Sequence, residues 1–196
     1  MWQTFIEDGA VDTPMRGQLM IRSGKGRYDM FAARPVDRCL EQGDQVMLDS
    51  GPSYKGYLAD MQRQASLGTP SDLQRCLYDR SRVGLEAALE VVHAGVPVRD
   101  VYTAAVRAMG RLQPVRVHLA FFGHSVGLAN HEPPWLGPDA EEVLEEGMVL
   151  SVEVPSYDIP QYRVLGGFLE DVIIVTANGH ENVTGEIPHE LWVAEG

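Results

Sequence analysis

The sequence is short of cysteine, of positive charge and of long apolar runs, and each shortage closes off a class of function. With 2 cysteines among 196 residues, a disulfide-stapled scaffold is excluded. Cys39 and Cys76 have neither metal-type nor redox-type spacing and are expected as two buried thiols. Lys plus Arg number 16 against 28 Asp plus Glu, a formal charge of −12. That field repels phosphate backbones and anionic headgroups and argues against nucleic-acid and membrane-surface partners. No apolar run approaches the ~18 residues that span a bilayer, and the opening MWQTFIEDGA has neither the basic nor the apolar region of a signal peptide. The expectation is a cytoplasmic protein, so the Asn182-Val183-Thr184 sequon is set aside.

What is present suits one core. With 44% hydrophobic residues, the chain is expected to form a single domain over 1–196. Short β-type runs occupy Gly17 to Ser23 and Gln45 to Asp49, and Tyr54, Tyr57 and Leu58 continue into a further strand that ends at the breaker Gly68-Thr69-Pro70. Ser71-Asp72 caps a long helical pattern with Gly95 as its stop, and Val98 to Leu112 reads as a second helix before Pro114. Val115 to Phe122, Met148 to Pro155 and Val164 to Thr176 are strand-like again. Strands, two helices and strands in that order point to an α+β domain and away from alternating βαβ units. Met1 to Glu7 reads as the last turns of a helix.

The chemistry concentrates at the ends of the strand-like runs. Asp49-Ser50-Gly51 and Gly56-Tyr57-Leu58-Ala59-Asp60 lie on neighbouring extended segments that a hairpin can bring together. Two close carboxylates share a proton or need a cation; taken alone, this pair reads as surface loop charge. His124 stands between glycines in Gly123-His124-Ser125-Val126-Gly127, and His131 opens the rigid turn His131-Glu132-Pro133-Pro134. A separation of seven is too wide for two ligands of one ion on a helix face, so the two histidines are expected to play separate roles. Glu153 and Glu170 sit inside the apolar runs VLSVEVP and GGFLEDVIIV, where a buried glutamate costs several kcal/mol unless paired or bound to metal. Asp171 should point to the opposite sheet face. One histidine and four carboxylates suit Mn, Fe, Co or Zn, and two divalent ions balance the four negative charges.

In the runs DSGPSYKGYLAD, GHSVGLANHEPP, LEEGMVLSVEVP and GGFLEDVIIVT, the chain resembles the catalytic domain of the methionine aminopeptidase, aminopeptidase P, prolidase and creatinase superfamily. The resemblance implies a pita-bread fold, a curved antiparallel sheet covered by helices. It implies five metal ligands, Asp49, Asp60, His124, Glu153 and Glu170, holding two divalent metal ions (Mn, Co, Zn or Fe), with Asp60 and Glu170 bridging. It also implies that His131 contacts substrate and that Glu153 moves the proton during metal-assisted hydrolysis of a C–N bond, in the manner of a Xaa-Pro peptidase. His93, His118, His180 and His189 match nothing in the pattern and are expected to be structural or exposed.

The chain also departs from that pattern. No histidine stands in Gly26 to Arg38, Gln64 follows Arg63 where threonine is common, Val154 separates Glu153 from Pro155, and Phe168 replaces an arginine. An intact metal set with an altered substrate side leaves three readings open: a Xaa-Pro peptidase, a creatinase-like hydrolase of a small amide or amidine metabolite, and a catalytically inactive binding protein of the same fold. The substrate is accordingly a small peptide or small amide. Relatives carry helices before the first strand, so a shortened N-terminus is expected, with a homo-oligomer or a partner covering the sheet face those helices protect.

Overall fold

The computed structural model describes residue 7 and residues 18–24, 37–110, 120–158 and 165–195. The helix expected over Met1 to Glu7 lies outside these residues except for Glu7, which is helical. Strands β1 (Gln18–Gly24), β2 (Gln45–Gly51) and β5 (Met61–Leu67) pair antiparallel, and β11 (Trp192–Ala194) joins β5 in parallel. Along β2 the residues at 45, 47 and 49 are buried and those at 46 and 48 are half-buried, the period of 2 of a strand with one covered face. Between β2 and β5 the chain makes a small hairpin, β3 (Ser53–Tyr54) with β4 (Tyr57–Leu58), turned by Lys55 and Gly56 at positive φ. The single strand expected after Ser53 is thus a hairpin followed by a strand.

A second sheet carries the order β10-β9-β8-β6-β7, antiparallel throughout: β6 (His124–Ser125), β7 (Glu132–Trp135), β8 (Val149–Asp158), β9 (Leu165–Thr176) and β10 (Gly179–Asn182). Of the strand expected over Val115 to Phe122, positions 115–119 lie outside the described residues, and Ala120, Phe121 and Phe122 are not in a strand.

The helices α1 (Asp72–Glu90) and α2 (Val98–Gly110) cover one face of β8 and β9. Ser71 and Gln74 form a capping box at the start of α1. The helix ends at Glu90, before the expected stop at Gly95, because the amides of Val91 and Val92 already take the carbonyls of Ala88 and Leu89 in tighter turns. Leu85, Leu89, Val98, Val101 and Met109 pack on Leu150, Val152, Val154, Leu169 and Ile173 in one core cluster. A Cβ at Gly167 would lie 2.6 Å from Tyr78 Cα, so the missing side chain lets the α1 backbone rest directly on β9. Cys39 and Cys76 are both free and exposed, which corrects the expectation of buried thiols. Cys76 lies off the α1 stripe of Gln74, Leu77, Tyr78, Ser81, Gly84 and Leu85 that turns inward.

Because Val152 and Val154 face the helices, Glu153 between them faces the other way; the same alternation along β9 turns Leu169 and Ile173 to the helices and Glu170 away. The sheet period therefore presents two glutamates on the face opposite the main core, toward the strands that carry the aspartates.

Candidate metal centre

Each of the predicted ligands reaches the centre from a different element. Glu153 on β8 and Glu170 on β9 are direct register partners. His124 on β6 pairs with Ser151, two residues along β8. Asp49 on β2 and Asp60, just before β5, arrive from the other sheet. Their potential ligand atoms form groups within 4.8 Å: Asp49, Asp60 and Glu170; His124, Glu153 and Glu170; and Asp60, His124 and His131. The structure thus brings all five together and adds His131. The His124 and His131 rings lie 4.2 Å apart, although seven residues separate them in sequence.

Burial rules out solvated loop charge, since Asp49, Asp60 and Glu170 are 7%, 4% and 3% exposed. Burial is also the largest cause of the altered acidity of Asp60, Glu153 and Glu170. It raises Asp60 to about 8, helped by the charges of Asp49 and Glu153 and opposed by a hydrogen bond from Asn130. It raises Glu153 to about 7, helped by Asp49 and opposed by the positive charge of Arg22. It raises Glu170 well above the carboxylate range, with Asp60, Glu153 and Asp49 adding to the effect. The Ser151 hydroxyl donates to Glu170 Oε1 and lowers its pKa in part.

His124 supplies a direct test of whether these residues suit a cation. Its Nδ1 lies 3.0 Å from the carbonyl oxygen of Ser125, which can only accept, so Nδ1 carries the proton. Burial lowers the ring's pKa to about 4, leaving it neutral. The bare Nε2 lone pair is buried without a hydrogen-bond partner, 3.9 Å from Asp60 Oδ2. At 3.9 Å no hydrogen bond joins the two atoms, the gap between an imidazole lone pair and a carboxylate oxygen suits a cation, and an imidazole fixed by its other nitrogen is the usual state of a metal-bound histidine. Gly123, at φ +130°, lets the chain pass close to Ser151 O and Leu136 at this point, a backbone position that a side chain would obstruct.

A further layer holds the ligands in place. Asn130 donates to Asp60 Oδ2 at 2.8 Å, and Gln62 Nε2 lies 3.3 Å from Asp49 Oδ2. Behind Glu170, Arg63 donates to the Glu170 carbonyl at 2.5 Å and to Asp171 Oδ1 at 2.7 Å. Asp171 also accepts from Asn182 and meets His189 at 2.8 Å, which resolves its expected place on the opposite face into a buried anchor. Gln64 bonds the Gly166 carbonyl and the Phe168 amide, tying β5 to β9. Phe168 is wholly buried. His93 is exposed, His180 half-buried and His118 outside the described residues. Sequence reasoning missed Asn130, Gln62, Trp135, whose ring stacks 6.2 Å from His131, and Arg22. Only Asn130, directly before His131, carried a local signal.

The model of metallopeptidase family M24 matches residues 4–177 of the chain. A Xaa-Pro aminopeptidase of Escherichia coli (strain K12) is 32% identical over 86% of this chain and 45% of its own length. A Xaa-Pro dipeptidase of Pyrococcus furiosus is 32% identical over 76% of this chain and 42% of its own length. Among solved structures, X-Pro aminopeptidase from Thermotoga maritima MSB8 superposes with a TM-score of 0.85 at 26% identity, covering 98% of this chain and 53% of that one. The fold is therefore the expected pita-bread α+β architecture. The chain spans about half the length of these relatives.

Proposed function

From the chain's place in metallopeptidase family M24, to which it belongs, we propose that it is a single catalytic domain of a dinuclear metal-dependent hydrolase that cleaves the peptide bond of Xaa-Pro substrates. The observation that carries this reading is the sharing of Glu170 between two ligand groups, Asp49 with Asp60 on one side and His124 with Glu153 on the other. In this reading Asp49, Asp60, His124, Glu153 and Glu170 would hold two divalent ions, with Asp60 and Glu170 placed to serve both, and Mn, Co, Zn and Fe are all compatible with the donor set. When bound, such ions supply a water of lowered pKa and polarise a carbonyl.

The remaining work falls to side chains. Glu153, half-buried and raised to about 7, has the acidity of a group that accepts a proton and returns it to a leaving nitrogen near neutral pH. His131, with its pKa lowered by burial, is a neutral ring beside His124 that can donate a hydrogen bond to a developing oxyanion. Trp135, stacked near His131 and 4.7 Å from Phe121, forms an apolar wall that limits water on that side. The substrate is a small peptide. The acidic charge of −12 disfavours nucleic acid, and no helix among the described residues is long and apolar enough to cross a membrane.

The test is metal analysis of the purified chain coupled to a Xaa-Pro dipeptide series with Mn²⁺ or Co²⁺. Two metal equivalents with turnover are expected. Two equivalents with no turnover of any peptide would end the peptidase reading, and no bound metal would end the dinuclear one.

A further inference from the structure

Arg22 stands apart from the groups described above. It lies on β1 two residues from Met20, whose register partner is Asp49, and its own partner is Met47. Residues two apart on a strand share a face, as do directly opposed partners, so Arg22, Met20, Met47 and Asp49 line one surface, together with Gln62, which touches Met47 and Asp49. The guanidinium is thus carried to the edge of the metal centre. It is 7% exposed. Among the described residues its Nη2 meets only the thioether of Met20 at 3.0 Å, a weak acceptor, while Nε and Nη1 are buried with no hydrogen-bond partner there.

A buried cation with idle donors is costly to maintain. Among the described residues no carboxylate lies within ion-pair distance of it. Its charge reaches Glu153 only through space. In the reading proposed above, two divalent ions already neutralise the four carboxylates, which leaves Arg22 as an uncompensated positive charge beside the reacting bond.

We infer that Arg22 receives a free carboxylate of the substrate, so that this chain acts on dipeptides in preference to longer or C-terminally blocked peptides. The inference rests on the peptidase reading for the identity of the substrate. Two residues of strand place Arg22 ~7 Å from the Asp49 row, and in a dipeptide the free carboxylate is one residue beyond the scissile carbonyl, within the reach of a guanidinium from there. In a longer peptide that position holds a neutral amide, and the charge of Arg22 stays unanswered. Charge-assisted bonds from guanidinium to carboxylate are about twice as strong as neutral ones, which makes the discrimination large.

The experiment compares Ala-Pro with Ala-Pro amide in the metal-loaded chain, for the native protein and for Arg22→Met and Arg22→Lys. The native protein is expected to favour Ala-Pro in kcat/KM by at least tenfold, chiefly through KM. Arg22→Met should lose that preference while still cleaving the amide, and Arg22→Lys should recover part of it. Equal use of both substrates by the native protein would overturn the inference, as would an equal loss of both in Arg22→Met, which would make Arg22 a counter-ion of Glu153. A parallel thermal-shift titration with proline and prolinamide reads binding without turnover. Stabilisation by proline but not prolinamide, abolished in Arg22→Met, supports the inference even if no peptide is cleaved, in which case the peptidase reading alone fails. Equal shifts with both ligands would overturn it.

Discussion

Removing divalent metal should turn the centre into a pH-dependent weakness. The carboxylates are held together by the fold, so without cations they must either bind protons or repel. Glu153 moves from 4.5 to about 7 on folding, chiefly through burial and then through the charge of Asp49. A folded pKa above the unfolded value means that the native state binds the extra proton, so the penalty is absent below the unfolded pKa and complete once pH exceeds the folded one. At ~1.4 kcal/mol per pH unit, Glu153 alone costs on the order of 3 kcal/mol at high pH, with about 2 kcal/mol of that appearing between pH 5.5 and 7. Asp60, raised to about 8 by burial and by Asp49, acts in the same direction and extends the window upward. For a domain of this size about 2 kcal/mol corresponds to a fall in Tm of roughly 4–8 °C.

The assay is a set of melts of chelator-treated protein at pH 5.5 and pH 8, with and without added Mn²⁺. The metal-free protein should melt lower at pH 8, and Mn²⁺ should raise its Tm more at pH 8 than at pH 5.5, where protons compete for the same oxygens. Glu153→Gln should flatten the pH dependence of the metal-free form. A metal-free Tm that is equal at the two pH values, or that rises with pH, would refute the claim that these carboxylates are forced together.

Other substitutions probe the supporting layer. His124→Ala removes the bare Nε2 and should reduce bound Mn²⁺ from two equivalents to one by elemental analysis; two equivalents retained would contradict its assignment as a ligand. Arg63→Ala strands Asp171 in the interior and breaks the bond to the Glu170 carbonyl, so it should cost about 3–5 kcal/mol in urea unfolding, and a loss under about 1 kcal/mol would show that the pair is solvated. For Asp171 itself, burial pushes the pKa up, but bonds from His189, Asn182 and Arg63 together hold it below the usual carboxylate value. Its stabilising contribution is therefore present above the unfolded pKa near ~3.9 and lost as pH falls through the folded one, and Asp171→Asn should flatten the acid limb of stability against pH. Gly167→Ala forces a methyl against the α1 backbone at Leu77 and Tyr78 and should cost about 1–3 kcal/mol; an unchanged urea midpoint would mean that the helix can lift away.

Much of the fold was legible in the pattern of residues. The period of 2 in Gln45 to Asp49, the helical stripe after Ser71 and the apolar runs around Glu153 and Glu170 each announce an element, because each must bury one face. Glu153 and Glu170 were conspicuous for the same reason, being charges where burial was required. Short elements were not legible: β6 and β7 span two and four residues, and they exist only because β8 offers an edge to β6 and β6 in turn offers one to β7. The end of α1 at Glu90 was missed because tighter backbone bonds closed it before the glycine. The exposure of Cys76 depended on where the α1 stripe met the sheet.

The sequence by itself determined which chemical groups are present and which face of its own strand each occupies, since alternation is a local property of the backbone. It could not set the meeting of the two sheets, which brings Asp49 and Asp60 against Glu170 and His124, nor the row that delivers Arg22 to the edge of the centre. Those contacts join residues far apart in the chain, and only the packed tertiary structure, by excluding water from between them, converts ordinary acidic residues into a site that calls for a cation.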